Sequence, residues 1–307
     1  MPASRSASES ATVRVPGTTS NLGPGFDTLG IALRLYNGAT VTRRGGRSGR
    51  GQREVVLESP VDESSRAAAT ALLAEAADRF FQQARLRPFG ISIVLAGDVP
   101  IARGLGSSVT ARLGCLGALN RLCGGPLDRD QLFQAVSDLE GHPDNAAPAV
   151  YGGFTASAMV SGRARAVRFP VSPKARFVTL IPRFEVSTPM ARKLVPQTFS
   201  KADTVHSLTR VALITAAFAS GNLEALRGCF DDRIHQPYRE ALIPQLSRVI
   251  GAGERAGALG GWLSGSGSTL ICLTLRHPAA VARAMQQELP DSDVHILSAD
   301  SRGVTAG

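Results

Sequence analysis

The chain of 307 residues is 43% hydrophobic and 19% charged, a balance that fits a folded globular protein and excludes a disordered one. Its formal net charge is +9, and only three of its 34 basic residues are lysines (Lys174, Lys193 and Lys201). No apolar run approaches the ~18–20 residues of a membrane-spanning helix.

Met1 to Thr12 is polar, rich in serine and alanine, and lacks the apolar core of a secretory signal. It is expected to be a frayed tail (residues 1–11) on a cytoplasmic protein. Residues 12–16 read as a short strand stopping at Pro16, followed by a turn-rich segment, Gly17 to Asp27. Phe26 to Thr42 alternates loosely and carries β-branched residues, which predicts a hairpin or two consecutive strands. Arg43 to Arg53, RRGGRSGRGQR, has no aromatic residue for stacking on a base. It reads as a solvated hairpin loop with Glu54 to Glu58 as the partner strand, and no nucleic-acid partner is expected. A helix from Ser64 or Ser65 to about Ala84 buries Ala68, Leu72, Leu73, Ala76, Phe80 and Ala84.

Gly90 to Ala96 reads as a strand, and a helix begins near Ser107 and runs to about Leu122. Asp128 with Gln131 three residues on predicts a capping box and a helix ending near Glu140. Another strand is expected over Gly152 to Val160. From about Ser161 the pattern shifts to a connector with proline and arginine, then a strand, Phe177 to Ile181. Helices are expected near 187–195, 203–220, 222–231 and 239–257. Strands near 269–275 and 293–298 enclose a helix, 279–288. The class is α+β, with residues 12–160 as a first domain and 161–307 as a second. Cys115, Cys123, Cys229 and Cys272 form no C-x-x-C pair, so reduced thiols are expected rather than zinc ligands or disulfides.

Four stretches carry chemistry. Pro16 to Asp27 offers the amide of Asn21 and the carboxylate of Asp27 between glycines. Pro100 to Thr110, PIARGLGSSVT, places Gly104, Gly106, Ser107 and Ser108 where a helix begins; the unpaired N–H groups and positive dipole end there suit an anion. It fits neither the lysine-bearing phosphate loop nor the three-glycine dinucleotide motif. Glu140 to Asn145, EGHPDN, groups two carboxylates, an imidazole and an amide that suit Mg²⁺ or a polar substrate. Gly260 to Thr269, GGWLSGSGST, is a glycine-rich turn that packs on another loop or lines a phosphate site.

In this order the four stretches resemble the GHMP small-molecule kinase superfamily and, within it, the homoserine kinase family. PGTTSNLGPGFDTLGIAL, PIARGLGSSVTA, EGHPDNAAPAVYGG and LSGSGST are similar to that family's four motifs. Phe184 to Lys193, FEVSTPMARK, and Asp232 to Arg239, DRIHQPYR, resemble two further homoserine kinase runs. The matches span Val15 to Leu270. The sequence departs from the family at Ser268, where proline is usual, at Val109 and Thr110 in place of alanines, and at Gly17 in place of alanine.

The resemblance implies a two-part GHMP kinase fold with an N-terminal ribosomal-protein-like βα domain and a C-terminal ferredoxin-like αβ domain. It implies that ATP is held by Pro100, Ile101, Ala102, Arg103, Gly104, Leu105, Gly106, Ser107, Ser108, Val109 and Thr110. Mg²⁺ would sit by Ser107 and Glu140. L-homoserine would lie among Asn21, Asp27, His142, Thr188, Arg192 and Arg239. Asp27 then suits the ammonium, Asn21 the hydroxyl, and the two arginines the carboxylate. The reaction is transfer of the ATP γ-phosphoryl group to the homoserine hydroxyl, a step of threonine biosynthesis. Glu140, Ser107 and Arg103 are the catalytic candidates, and no side chain is expected to be indispensable as a base. A homodimer is compatible with this reading, and no membrane partner is expected. Two rivals stand beside it: another GHMP kinase acting on mevalonate, shikimate or a sugar, and an inactive sensor on the same fold.

Overall fold

The computed structural model describes residues 9–44, 54–60 and 63–307. In chain order the first part contains β1 (Ser10–Asn21), β2 (Gly25–Arg43), β3 (Val55–Leu57), α1 (Glu63–Ala84), β4 (Ile91–Gly97), α2 (Ser107–Leu122), α3 (Arg129–Glu140), α4 (Ala146–Tyr151), β5 (Phe154–Val160) and β6 (Arg163–Phe169). The second part contains β7 (Arg176–Pro182), α5 (Thr188–Lys193), α6 (Lys201–Ser220), α7 (Gln236–Arg239), α8 (Leu246–Arg255), β8 (Gly260–Leu263), β9 (Leu270–Thr274), α9 (Pro278–Glu288), β10 (Ser292–Leu297) and β11 (Thr305–Ala306).

Strand β1 starts inside the stretch expected to be tail, pairing Ser10 with Thr42, and it does not stop at Pro16. The register shifts between Pro16 and Gly17, and a proline that donates no ladder bond is accommodated at such an irregularity. The strand therefore continues to Asn21 and delivers Thr18, Thr19, Ser20 and Asn21 to the interior. Strand β2 is one 19-residue strand rather than two. It pairs with β1 along its length, with β4 through Asn37 to Arg43, and with β5 through Leu29 to Ile31.

The strand beginning at Val55 pairs parallel to β4, with Val55 opposite Ile91, and not back onto β2. A parallel pair needs a long crossover, and α1 supplies it. Residues 45–53 of the arginine-rich stretch lie outside the described residues. Helix α1 buries Leu73, Ala76, Ala77, Phe80 and Phe81, a face turned slightly from the expected one, and Ala68 is exposed. With α2, α3 and α4 it closes a core against Val13, Val15, Val41 and Ile93.

The second sheet has the order β10-β7-β9-β8. With α5, α6 and α7 inserted after β7, its chain order β7–α8–β8–β9–α9–β10 is the split βαβ arrangement of a ferredoxin-like domain. Val249 of α8 and Val281 and Met285 of α9 pack on Val178, Leu180 and Cys272. The helix expected over 239–257 is broken into α7, a 3-10 turn at Glu240–Leu242, and α8. Pro244 explains the break, because the residue before proline is driven out of the helical region, and Ile243 has φ −139° and ψ 73°. The helix expected at 222–231 is only a 3-10 turn, Leu223–Leu226.

A third core joins the two parts, with Leu29, Ile31 and Leu33 of β2 meeting Phe177, Phe218, Phe230 and Trp262. Phe154 stacks on Phe218 with ring centroids 4.2 Å apart. The division expected between residues 160 and 161 falls in the turn of the β5–β6 hairpin, so β6 stays with the first sheet. The C-terminal β11 also returns to it, beside β1. The four cysteines are free. Among the described residues no helix is long and apolar enough to cross a membrane.

Candidate active site

A cleft opens where the β1–β2 turn, the loop before α2, the α3–α4 connection, α5, α7 and the β8–β9 turn converge. The loop before α2 is built on two glycines. Gly104 (φ 76°) and Gly106 (φ 72°) both occupy the left-handed region. A Cβ on Gly104 would run into the Ser264 carbonyl, and one on Gly106 into the Thr18 hydroxyl. The loop is fixed from both sides: Thr18 N–H donates to the Leu105 carbonyl (3.0 Å) and the Ser264 hydroxyl to the Gly104 carbonyl (2.7 Å). Trp262 Nε1 donates to Thr19 Oγ1, which in turn lies 2.8 Å from Ser264 Oγ. The last glycine-rich stretch thus packs on the loop and also lends Gly265 and Ser266 to the cleft wall.

Gly106 caps α2 without a side-chain bond, so the first-turn N–H groups at Ser107, Ser108 and Val109 have no intrahelical carbonyl to pair with. These three residues line the cleft. An electropositive helix start beside an open backbone is built for phosphate oxygens. Beneath it, Ser108 Oγ donates to Glu140 Oε2 (2.9 Å), and Arg112 Nη1 pairs with Glu140 Oε1 (2.7 Å). The serine beside the carboxylate is therefore Ser108, whereas Ser107 Oγ accepts from the Ala102 N–H (3.4 Å). Glu140 arrives at the C-terminus of α3, whose capping box at Asp128 and Gln131 is present.

At the other end, Asn21 and Asp27 sit around the β1–β2 turn with positive φ values of 71° and 56°. Asn21 Nδ2 donates to the Gly265 carbonyl (3.0 Å) and its Oδ1 accepts from the Asp27 N–H (3.1 Å). Arg192, on α5, grips Asp27 with two bonds, of 3.0 and 2.7 Å. Arg239, on α7, is buried, and burial followed by the nearby Arg192 charge pushes it down to about 10, still a cation at neutral pH. Both guanidiniums lie over the Phe26 ring, at 5.5 and 5.2 Å from its centroid. Arg192 is ion-paired with Asp27, whereas Arg239 meets only neutral acceptors, so its positive charge is available to an anionic group of a ligand.

His142 Nδ1 donates to Asp144 Oδ1 (2.6 Å). Burial alone would lower the imidazole, but the Asp144 bond and charge outweigh it and hold His142 above its ordinary value. Burial would raise Asp144, and the bond to His142 holds it below the carboxylate range instead. Asp27, His142 and Asp144 offer ligand atoms within 4.8 Å of one another. Asp27 is held by Arg192, and Asp144 by His142 and the Asn145 N–H, so the three belong to one ion-pair network.

Two families match the chain: GHMP kinases N terminal domain over residues 67–153, and GHMP kinases C terminal over residues 214–291. The homoserine kinase of Microchaete diplosiphon is 39% identical over 304 residues, covering 97% of each chain. That of Trichormus variabilis is 38% identical over 309 residues, covering 96% of this chain and 98% of the relative. The chain belongs to the homoserine kinase family of GHMP kinases. The fold is shared with a homoserine kinase from Cytophaga hutchinsonii, at TM-score 0.88 and 24% identity over 100% of both chains. It is also shared with L. major mevalonate kinase, at TM-score 0.71 and 16% identity over 94% of this chain and 95% of that one. The fold alone therefore leaves the acceptor open, and the charges of the cleft must choose it.

Of the site residues expected for this family, Asn21, Asp27, Ala102, Gly104, Gly106, Ser107, Ser108, Val109, Glu140, His142, Thr188, Arg192 and Arg239 line the one cleft. Arg103 does not. Its guanidinium donates to the carbonyls of Ile101, Pro182 and Arg183 and pairs with Glu185 (3.1 Å), tying the loop to the second part of the chain. Pro100, Ile101, Leu105 and Thr110 frame the loop without lining the cleft: Leu105 and Thr110 are buried, and Ile101 is 65% exposed. Ser20 and Phe26 also line the cleft without having been expected there, as do Asp144 and Asn145, to which the Glu140 to Asn145 stretch assigns no individual role. Asn145 accepts from Thr18 Oγ1 (2.7 Å) and donates to Ser20 Oγ (2.9 Å), a partnership that only the continuation of β1 past Pro16 makes visible.

Proposed function

We propose that the chain transfers the γ-phosphoryl group of ATP to the hydroxyl of L-homoserine, giving O-phospho-L-homoserine. The observation that carries this reading is the coexistence in one cleft of a free helix start and a set of opposite charges, Asp27 with Arg192 and Arg239. The first suits the phosphates and the second an amino acid with both charges, which mevalonate, shikimate and sugars lack.

Phosphoryl transfer depends chiefly on alignment and charge neutralisation. In this reading the N–H groups of Ser107, Ser108 and Val109 receive phosphate oxygens, and Gly104 and Gly106 let the backbone approach them. Arg192 and Arg239 take the substrate carboxylate and Asp27 the ammonium. Asn21 has one N–H and one lone pair uncommitted, enough to orient the acceptor hydroxyl. Thr188, bonded to Ser266 across 2.9 Å, and His142 complete the lining. The oxygen donors of Ser108 and Glu140 fit a hard cation, so these two would hold Mg²⁺. When bound, such an ion neutralises charge on the transferred group. Asp27 and Asp144 are both committed to other partners, which favours positioning over general-base catalysis. The enzyme would work on these two small metabolites in the cytoplasm.

A coupled ADP-release assay across L-homoserine, mevalonate, shikimate and galactose tests the assignment. Turnover of homoserine alone is expected. Turnover of any of the other three with none on homoserine overturns it.

A further inference from the structure

The segment leading into α7 carries a buried chain of contacts that the reading above does not use. The Asp232 carboxylate accepts the backbone N–H groups of Ile234 (2.8 Å), His235 (2.8 Å) and Gln236 (2.7 Å). That fixes the backbone at His235, whose side chain has no exposed surface. One ring nitrogen, Nε2, lies 2.8 Å from the Gly23 carbonyl in the β1–β2 turn. The other, Nδ1, lies 3.1 Å from Arg239 Nη1. A carbonyl only accepts and a guanidinium only donates, so the two contacts together require a proton on Nε2 and a lone pair on Nδ1.

A proton added at Nδ1 would break the bond from Arg239 and oppose its charge at close range. The ring faces Asp232 on its own segment, 3.5 Å from Nε2, Arg239 on α7, and Asp27 at the β1–β2 turn. Burial dominates these influences and pushes the imidazole down to about 4. Phe26 stacks on the ring, centroids 5.1 Å apart, and the same Phe26 lies under both arginines.

We infer that His235, as the neutral Nε2–H tautomer, is a positioning residue that ties the Gly23 turn to Arg239 and aims the Arg239 guanidinium at the substrate carboxylate. This rests on the reading of Arg239 as a carboxylate ligand. Its other anchors are the carbonyls of Gly265 (2.9 Å) and Ala191 (3.4 Å), so all three acceptors are neutral and use only Nε and Nη1. A neutral acceptor orients a guanidinium without cancelling its charge, whereas a carboxylate in the same place would compete with the substrate.

Long-range ¹H–¹⁵N correlation spectra of protein labelled at its five histidines read the tautomer directly, with His235→Gln used to assign the signal. An Nε2–H ring that does not titrate between about pH 5.5 and about pH 8.5 is expected. An Nδ1–H ring, or a midpoint near about 6.5, overturns the inference. In steady-state kinetics, His235→Leu is expected to raise KM for homoserine about tenfold or more, the loss of one hydrogen bond to a charged group. The variant should leave KM for ATP unchanged and kcat within about threefold. His235→Gln, which retains an acceptor and a donor, should recover most of the loss, while His235→Asp should not. An unchanged homoserine KM in His235→Leu, or equal losses toward both substrates, sinks the positioning role. Arg239→Gln is measured alongside. If it leaves homoserine KM unchanged, the carboxylate reading itself fails; if it raises that KM and His235→Leu does not, only the positioning role fails.

Discussion

Asp27 and Arg192 stand 165 residues apart in the chain and form a two-bond ion pair inside the cleft. The sequence pattern places them at opposite ends of one substrate, yet in the free protein each is the other's counter-ion. Their side chains are 33% and 37% exposed, so the pair is screened and contributes little to stability. Its consequence lies in binding. A zwitterion can replace this one pair with two, ammonium to Asp27 and carboxylate to Arg192. A ligand with a single charge leaves one of the two side chains without a partner.

Asp27→Asn should therefore raise KM for homoserine by roughly 30-fold or more, the scale of a lost charge-assisted contact, with kcat changed only a few-fold. 4-Hydroxybutanoate, which keeps the hydroxyl and carboxylate but lacks the ammonium, should be a poor substrate for the native enzyme. The variant should discriminate between the two compounds far less. A collapse of kcat at saturating homoserine would instead make Asp27 part of the chemical step.

Gly106→Ala tests the loop before α2. The backbone at Gly106 is left-handed, and the added Cβ meets the Thr18 hydroxyl, which itself bonds Asn145. Alanine should cost about 1–2 kcal/mol or more in denaturant titrations and raise KM for ATP more than KM for homoserine. A variant as stable and active as the native protein would mean that the loop takes another conformation in solution.

The loop before α2 was legible because its pattern is local: glycines, serines and a helix start follow one another in ten residues. The capping box at Asp128 was legible for the same reason. Arg103 was misplaced because nothing local shows that its guanidinium is taken up by Pro182 and Arg183, far along the chain. The Asn145–Ser20 partnership was not legible because the strand carrying Ser20 reads as ending at Pro16, and a register shift that absorbs a proline leaves no periodic trace. Strand β6 reads as a connector because the half-buried side of its alternation carries only the small Ala164 and Ala166 before Phe169. The opposite end of the cleft, proposed for the substrate, is assembled from the β1–β2 turn, α5 and α7, and ordered resemblance rather than periodicity brought those together.

The two serines of the loop should separate in a magnesium titration. Ser108 bonds Glu140, and Ser107 only accepts from a backbone N–H at 3.4 Å. Ser108→Ala should raise the Mg²⁺ concentration needed for half-maximal rate about tenfold, in line with the loss of one ligand or of the group orienting one. Ser107→Ala should shift it by less than about threefold. The reverse order would return the metal-side role to Ser107, where the family resemblance puts it.

His142 and Asp144 make a pH-dependent contribution to stability, and its sign follows from the directions of their shifts. The folded-state value of His142 is raised, so its contribution is fully present below about 6.5 and is lost as pH rises through the higher folded value. The folded-state value of Asp144 is lowered, so its contribution is present above about 3.9 and is lost as pH falls through the lower folded value. Both are in force together between those limits. His142→Gln should therefore lose more stability relative to the native protein at about pH 5.5 than at about pH 8.5, because the native imidazole gives up its charge as pH rises through its raised value. Urea unfolding of both proteins without ligands, at the two pH values, measures the difference. A gap between the proteins that is equal at both values, or wider at the alkaline one, would mean that Asp144 does not hold a protonated His142. The bond between them would then be that of a neutral imidazole donating to a carboxylate, and His142 would bring no positive charge to the substrate end of the cleft.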